Sequence, residues 1–444
     1  MSVMRSPLMA GLASLFLFSV PFVRSPHAQD RRTVLEPMFP SHVCAALTAG
    51  PAAEPKDDTS RLQSAIDNCP DGDAVRLLAD AKGNRFFSRP LTMKSGVTLW
   101  LDRGVVLTAS SDPRNYDRDG RCGTIDARGD GCRPFILFDR TRGGGIVGDG
   151  TIDGQGGVPL TGQVETWWQL ARRAQREGGK QNAPRLIQVD HARDITFYRV
   201  TLRNAANFHV AMNDVKGATF WGIRIDTPAN ARNTDGIDPG ASEDITIAHD
   251  FIRTGDDNVA IKAGRGGATR HVSLLDNHFY WGHGMSIGSE TVGGVSSILI
   301  RDLTLDGTTS GLRIKSDGSR GGQVSDVLYE HVCMRDNRRP IDFDTRYDVR
   351  AQGGAIPVYR DIVLHDVIGD AGTLVMRGYD AAHPMSVMLD GVHFASDARW
   401  EIANAQLSIG AGGVWPPPSG GASMLDERDH ARCDDRWVAF PSSQ

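Results

Sequence analysis

The chain has 444 residues, 40% of them hydrophobic and 23% charged, with a formal charge of −5. These are ordinary globular values and exclude a collagen-like or wholly disordered chain. The acidic balance argues against nucleic acid as a partner, because such binders carry a basic excess. Fifty glycines and 22 prolines point to many turns rather than long helices.

In chain order, the first segment stands outside the fold. Arg5 precedes an apolar run over residues 8–23, broken by Pro21 and followed by small or helix-breaking residues up to Ala28. That layout predicts a secretory signal peptide over residues 1–28, cleaved after Ala28. The protein is then secreted and soluble, with no membrane association after cleavage. Next, Ser60 and Gln63 are spaced as a helix capping box, and Leu62, Ala65 and Ile66 form an apolar stripe, so a short capping helix is predicted over 60–69. Cys44 and Cys69 flank this segment, while Cys122 and Cys132 flank a Gly/Asp-rich loop. In an oxidising compartment both pairs read as disulfides, and none of the spacings suits zinc. Cys333 and Cys433 leave two options open, a bond between them or a buried thiol at Cys333. A second short helix is predicted over 167–174, beside the body of the fold. The "GGGIVG" run over 143–148 fits a dinucleotide glycine pattern, but turns rather than a helix follow it.

From residue 195 onward a short β-branched run recurs. Counted from Ile195 through Thr219, Ile245, Val272, Ile298, Val327, Ile362 and Val387, the steps are 24, 26, 27, 26, 29, 35 and 25 residues. Each repeat offers two or three short strands that cannot bury their inward faces alone, whereas stacked coils bury them as one core. The steps are too short for propeller blades, and no amphipathic helix separates the strands as a doubly wound fold requires. The prediction is an all-β parallel β-helix over residues 29–404, capped at its N-terminal end by the short helix. After Asn404 the pattern fades, and 405–444 reads as a tail without an assigned role.

Four constellations fall on successive repeats: "NTDGIDP" with Asp235, "TGDDNVAIK" with Asp256 and Asp257, "GHGMSIGSE" with His283, and "GLRIKS" with Arg313 and Lys315. The intervals of 21, 27 and 30 residues are each about one coil, so winding would gather all four on one flank. Singly, Asp-Gly and Asn-Thr-Asp are common turn residues, and a glycine-flanked His is an ordinary surface group. Their conjunction at the repeat spacing points to chemistry. A carboxylate trio beside cations suits hydrolysis of an acidic glycoside: one carboxyl keeps its proton through crowding by like charges, another activates water, and cations grip the substrate carboxylate. Lysine is rare, with seven in the chain, which marks Lys262 and Lys315.

These four motifs, in this order and spacing, resemble glycoside hydrolase family 28, the polygalacturonases, and most closely its bacterial secreted endo-acting members. "GTIDGQGG", "PRLIQV" and "NFHV" extend the resemblance over nearly the whole chain beyond residue 28. It implies a right-handed, pectin-lyase-like β-helix that binds a polygalacturonate chain in a surface groove and cleaves α-1,4 bonds by single displacement. By motif position Asp256 would be the general acid, and Asp235 and Asp257 would hold the attacking water. His283 would tune the acid, Asn233 would support the first carboxylate, and Arg313 and Lys315 would bind galacturonate carboxylates. Tyr347, in "PIDFDTRYD", would contact sugar at the groove. No cofactor or metal is implied, and a monomer is expected. Rival readings are an exo-acting or rhamnogalacturonan-cleaving relative, a calcium-dependent pectate lyase, and a non-catalytic carbohydrate-binding solenoid.

Overall fold

The computed structural model describes residues 29–51, 56–418 and 433–442. The expected signal peptide lies outside the described residues. Eleven short strands, from Leu91–Thr92 to Arg399–Ala403, stack in parallel as one sheet with one strand per coil. A second, 20-stranded sheet wraps the rest of each coil in two faces, again almost wholly parallel. In its later coils one long strand covers both faces, as in Thr269–Phe279, Val295–Asp306 and Gly322–Arg335.

Such a strand can turn the corner because the residue between its two faces adopts positive φ. Arg199, Gly222, His249, Asp276, Asp302, His331, Asp366 and Gly391 take this place, with φ between 52° and 69°. Asp, His and Gly tolerate the left-handed region better than most residues, which explains why these types recur there. The structure is the parallel β-helix the repeat implied, wound with the right hand that the resemblance implied.

Inward residues pair rung by rung: Ile195 with Ala218, Ala218 with Ile245, and so on through Val272, Ile298, Val327, Ile362 and Val387. All are essentially inaccessible to water. The second rung is Ala218, not Thr219 as the sequence spacing suggested. Its small size hid it in the sequence, while Phe220 supplies the bulk by stacking on Phe197 at 4.7 Å. Each buried Ile, Leu or Val contributes on the order of 1.5–3 kcal/mol.

The N-terminal cap is the helix Thr59–Asn68, which buries Leu62 and Ile66 against the first coil. The expected Ser60/Gln63 capping box is absent. Asp58 is the N-cap, the Asp57 carboxylate accepts from the Thr59 N–H, and the Gln63 side chain instead donates to Thr92 O and Asp67. The second helix, Trp167–Glu177, carries the capping box, formed by Thr166 and Gln169, and ends at Gly178 with φ 72°. It is less peripheral than expected, since Trp167 is fully buried edge-on to Tyr116. The "GGGIVG" run forms the strand Gly145–Val147, with no helix after it.

Pairing continues past Asn404. Ala405–Ile409 and Val414–Trp415 both run parallel to Met385–Phe394, so the solenoid extends beyond the boundary at 404. Disulfides join Cys44 to Cys69 and Cys122 to Cys132, and a third joins Cys333 to Cys433, which resolves the open alternative. No described helix is long and apolar enough to cross a membrane.

Candidate active site

The register of the 11-stranded sheet assembles the site. Ile237 pairs with Val259 and Val259 with Met285, so Asp235, Asp257 and His283, each two residues earlier, occupy equivalent positions on three successive coils. Neighbouring strands lie about 4.8 Å apart. Asp256 lies one residue outside this column and is brought in by the loop after Phe251–Arg253. Arg313 follows Ala260 and Ser286 along one outward row, and Lys315 follows Gly288 along the next. A side chain at Gly288 would strike Lys315 O at 2.0 Å, so glycine is needed between the coils.

Lys315 donates to Asp257 Oδ2 at 2.6 Å, Ser286 Oγ donates to Asp257 Oδ1 at 2.8 Å, and an Arg313 nitrogen lies 3.7 Å from Oδ1. His283 Nδ1 is 3.0 Å from Asp256 Oδ1. Tyr347 is half exposed at the rim, with the Arg313 guanidinium 5.1 Å and the Lys315 ammonium 5.5 Å from its ring centre. Asn233, expected beside Asp235, instead serves Asp256: its backbone N–H donates to Asp256 Oδ2 at 3.3 Å, and its side chain accepts from Gln181 at 3.1 Å. The reason is its positive φ of 56°, which turns the loop before Asp235 toward the next coil.

Sequence reasoning left out two strong contacts. Lys262 Nζ lies 3.1 Å from Asp235 Oδ2 and 2.6 Å from Asp238 Oδ2, and 4.3 Å over the Phe208 ring. Asp238 stands in the first motif and Lys262 closes the second; the rarity of lysine was the available signal. Buried His209 hydrogen-bonds Thr227 Oγ1 at 2.8 Å and Asp235 O at 3.1 Å.

The proton affinities differ from the sequence expectation. Burial pushes Asp235 well above the usual carboxylate range; Lys262 opposes this, and the charges of Asp238, Asp256 and Asp257 reinforce it. Burial likewise pushes Asp238 up to about 6 against the pull of Lys262. Crowding was expected to raise the acid of the second motif, Asp256. Burial does act upward there, but the His283 hydrogen bond and charge, with Lys315 and Lys262, outweigh it and hold Asp256 below the usual range. The Asp256 carboxyl is therefore held in its ionised form by these neighbours.

Among the described residues, Asp256, Asp257 and His283 offer atoms close enough together to share a cation, as do Glu330, His331 and His365 on the other sheet. The first group fits a metal poorly, because Lys315 already neutralises Asp257 at 2.6 Å. In the second, Glu330 is taken by Arg301 at 2.6 Å. A depression of about 410 Å³ is lined by Asp238 and Lys262 together with Arg185, Gln188, Phe208 and Glu290. Carboxylates, an imidazole and cations on one groove wall can transfer a proton, activate water and hold an anion.

The sequence profile of Glycosyl hydrolases family 28 matches residues 93–411. An endo-polygalacturonase of Pectobacterium parmentieri is 46% identical over 389 residues, spanning 87% of this chain and 95% of that protein. A polygalacturonase of Ralstonia nicotianae is 42% identical, spanning 81% of this chain and 80% of that one. Among solved structures, the polygalacturonase of Erwinia carotovora ssp. carotovora superposes with a TM-score of 0.82 at 45% identity, over 85% of this chain and all of the other. An exopolygalacturonase of Thermotoga maritima shares the fold, with a TM-score of 0.70 at 20% identity.

Proposed function

The chain belongs to glycosyl hydrolases family 28 and is a glycoside hydrolase, and from that premise we propose that it is a secreted endo-polygalacturonase acting by inversion. The observation that carries the reading is the register placing Asp235, Asp257 and His283 on adjacent rungs, with Lys315 and Arg313 on the same wall. Secretion is supported by the apolar leader and the three disulfides. Endo action is supported by the 46% identity to an endo-polygalacturonase, against 20% to the exo-acting protein of similar fold.

In this reading a galacturonan chain lies along the 11-stranded sheet. The Lys315 ammonium has three donors; Asp257 takes one, and the others face the substrate carboxylate together with the Arg313 guanidinium. That added negative charge draws the cations away from the carboxylates and raises the proton affinity of Asp256. Asp256 then carries the proton to be delivered, held in position by the 3.0 Å contact to His283. Asp256 is the most accessible of the three carboxyls, 15% exposed against 5% and 2%, which suits the group that must touch the leaving oxygen. It protonates that oxygen as a water attacks the anomeric carbon from the opposite face. Asp257, paired with Lys315, and Asp235, whose upward shift Lys262 opposes, take up the proton the water loses.

The test is to digest polygalacturonate while recording viscosity, reducing ends, ultraviolet absorbance and the anomer first formed. Rapid thinning at few bonds cut, without unsaturated product and with inverted configuration, is expected. Slow thinning with steady monomer release overturns endo action, and ultraviolet-absorbing product overturns hydrolysis in favour of lyase chemistry.

A further inference from the structure

The three loops that carry Asp235, Asp256 and His283 leave the 20-stranded sheet at Asp226, Arg253 and Phe279, on three successive coils, with Trp281 two residues into the third loop. Arg253 ties these departure points together. Its guanidinium grips the Asp226 carboxylate at 2.6 and 3.0 Å and lies 4.4 Å from the Trp281 ring centre. The Trp281 indole N–H reaches past the middle coil to donate to Thr227 O at 2.9 Å. From the same residue, Trp281 O accepts from the Thr254 N–H at 3.2 Å, two residues before Asp256.

The outer side of this arrangement is closed by residues far away in sequence. Cys433 is bonded to Cys333, and from there the chain runs back across the coils. Arg436 pairs with Asp302 at 3.1 Å, and Trp437 covers Arg335 at 4.2 Å. Val438 O accepts from Tyr280 Oη at 2.7 Å. Phe440 meets Tyr280 edge-on at 5.2 Å and covers the free face of Arg253 at 3.8 Å. Arg253 is thus sandwiched between Trp281, one residue from the Gly282–His283 turn, and a ring from the C-terminal segment. The segment lies beyond residue 411, where the family match ends.

We infer that residues 433–442 form a positioning strap that, through Phe440, Arg253 and Trp281, fixes the spacing of the Asp256 and His283 loops. The inference rests on the roles proposed above for Asp256 and His283. Without Phe440, Arg253 gains freedom on its solvent side, and the Trp281 ring that depends on it loosens the turn holding His283 Nδ1 against Asp256 Oδ1. A displacement of about 1 Å between catalytic groups can cost a hundredfold in rate, so a partial loosening should cost about tenfold. Binding of the polymer, which spreads along the whole groove, should scarcely change.

The test compares Phe440→Ala, Phe440→Tyr and Cys433→Ser with the unaltered protein on polygalacturonate, and includes Asp256→Asn in parallel. Phe440→Ala is expected to lower kcat about tenfold with KM within twofold, at a temperature where circular dichroism shows it folded; Phe440→Tyr restores kcat because the ring face over Arg253 returns. Cys433→Ser should lower kcat in the same direction, since the segment then lacks its anchor. Unchanged kcat in folded Phe440→Ala overturns the strap, as does failure of Phe440→Tyr to restore it. Retained activity in Asp256→Asn instead overturns the assignment of the acid, independently of the strap.

Discussion

Replacing Lys262 by Met probes the electrostatics of the groove most sharply. The ammonium is 3.1 Å from Asp235 and 2.6 Å from Asp238, and the two carboxyl side chains are only 5% and 4% exposed. At an effective dielectric of about 20, each contact is worth about 5–6 kcal/mol before desolvation is deducted. Truncating one partner of such a buried set costs about 3–5 kcal/mol, because the remaining charges lose their counter-ion. Methionine keeps the apolar stem over Phe208, so the loss is one of charge. Its pH dependence has a definite sign. Asp235 and Asp238 already hold protons more tightly when folded than ordinary carboxyls, and without Lys262 they do so further. A carboxyl with a raised folded pKa contributes stability below its unfolded value and loses it as pH rises toward the folded one. The deficit of Lys262→Met should therefore stay small below about pH 6, where the unaltered protein also keeps Asp238 protonated, and grow above it, by up to about 1.4 kcal/mol per pH unit for each group. Urea unfolding followed by tryptophan fluorescence at pH 4, 6 and 8 measures this. Hydrolysis at pH 5–6 should fall at least a hundredfold, because Asp235 no longer ionises to take a proton from water. An equal deficit at all three pH values, or near-normal hydrolysis, would refute the pairing as described.

Lys315→Met removes the 2.6 Å partner of Asp257 and a substrate cation together, so kcat/KM on polygalacturonate should fall by about 10²–10³ with KM rising; a change in kcat alone would separate the two roles. Loss of the Cys333–Cys433 bond, which spans 100 residues, should lower unfolding free energy by about 2–5 kcal/mol and Tm accordingly, as calorimetry on Cys333→Ser/Cys433→Ser would reveal. Buried His209 has its pKa pushed down to about 4 by burial. Its contribution is full above the unfolded value of ~6.5 and is lost as pH falls toward 4, amounting to about 3 kcal/mol. The stability gap between the unaltered protein and His209→Gln should thus narrow from pH 7 to pH 4.5 in urea titrations, and a constant gap would count against a neutral imidazole.

Much of this molecule is legible in its sequence because a solenoid writes its core once per coil. Ile195, Ile245, Val272 and Ile298 announce the repeat, and motif spacings near one coil announce a shared wall. The failures have physical causes. Ala218 is inward but too small to stand out beside Thr219 and Phe220. The strand Ala405–Ile409 is mostly exposed because no further coil covers it, so its apolar alternation fades and the boundary was drawn too early. Contacts such as Lys262 with Asp238 or Asn233 with Asp256 depend on the relative heights of adjacent loops, which a one-coil spacing fixes only to within a residue or two. The Cys333–Cys433 bond closes a route across several coils, and nothing local marks it.

The most direct trial of the whole arrangement is the turnover of Asp256→Asn on polygalacturonate. Asparagine preserves the shape and the contact to the Asn233 N–H but cannot deliver a proton. A fall in kcat of at least about 10³, with the β-helix intact by circular dichroism and polymer binding retained, is the expected result. Turnover within a few-fold of the unaltered protein would contradict the assignment of Asp256 as the acid.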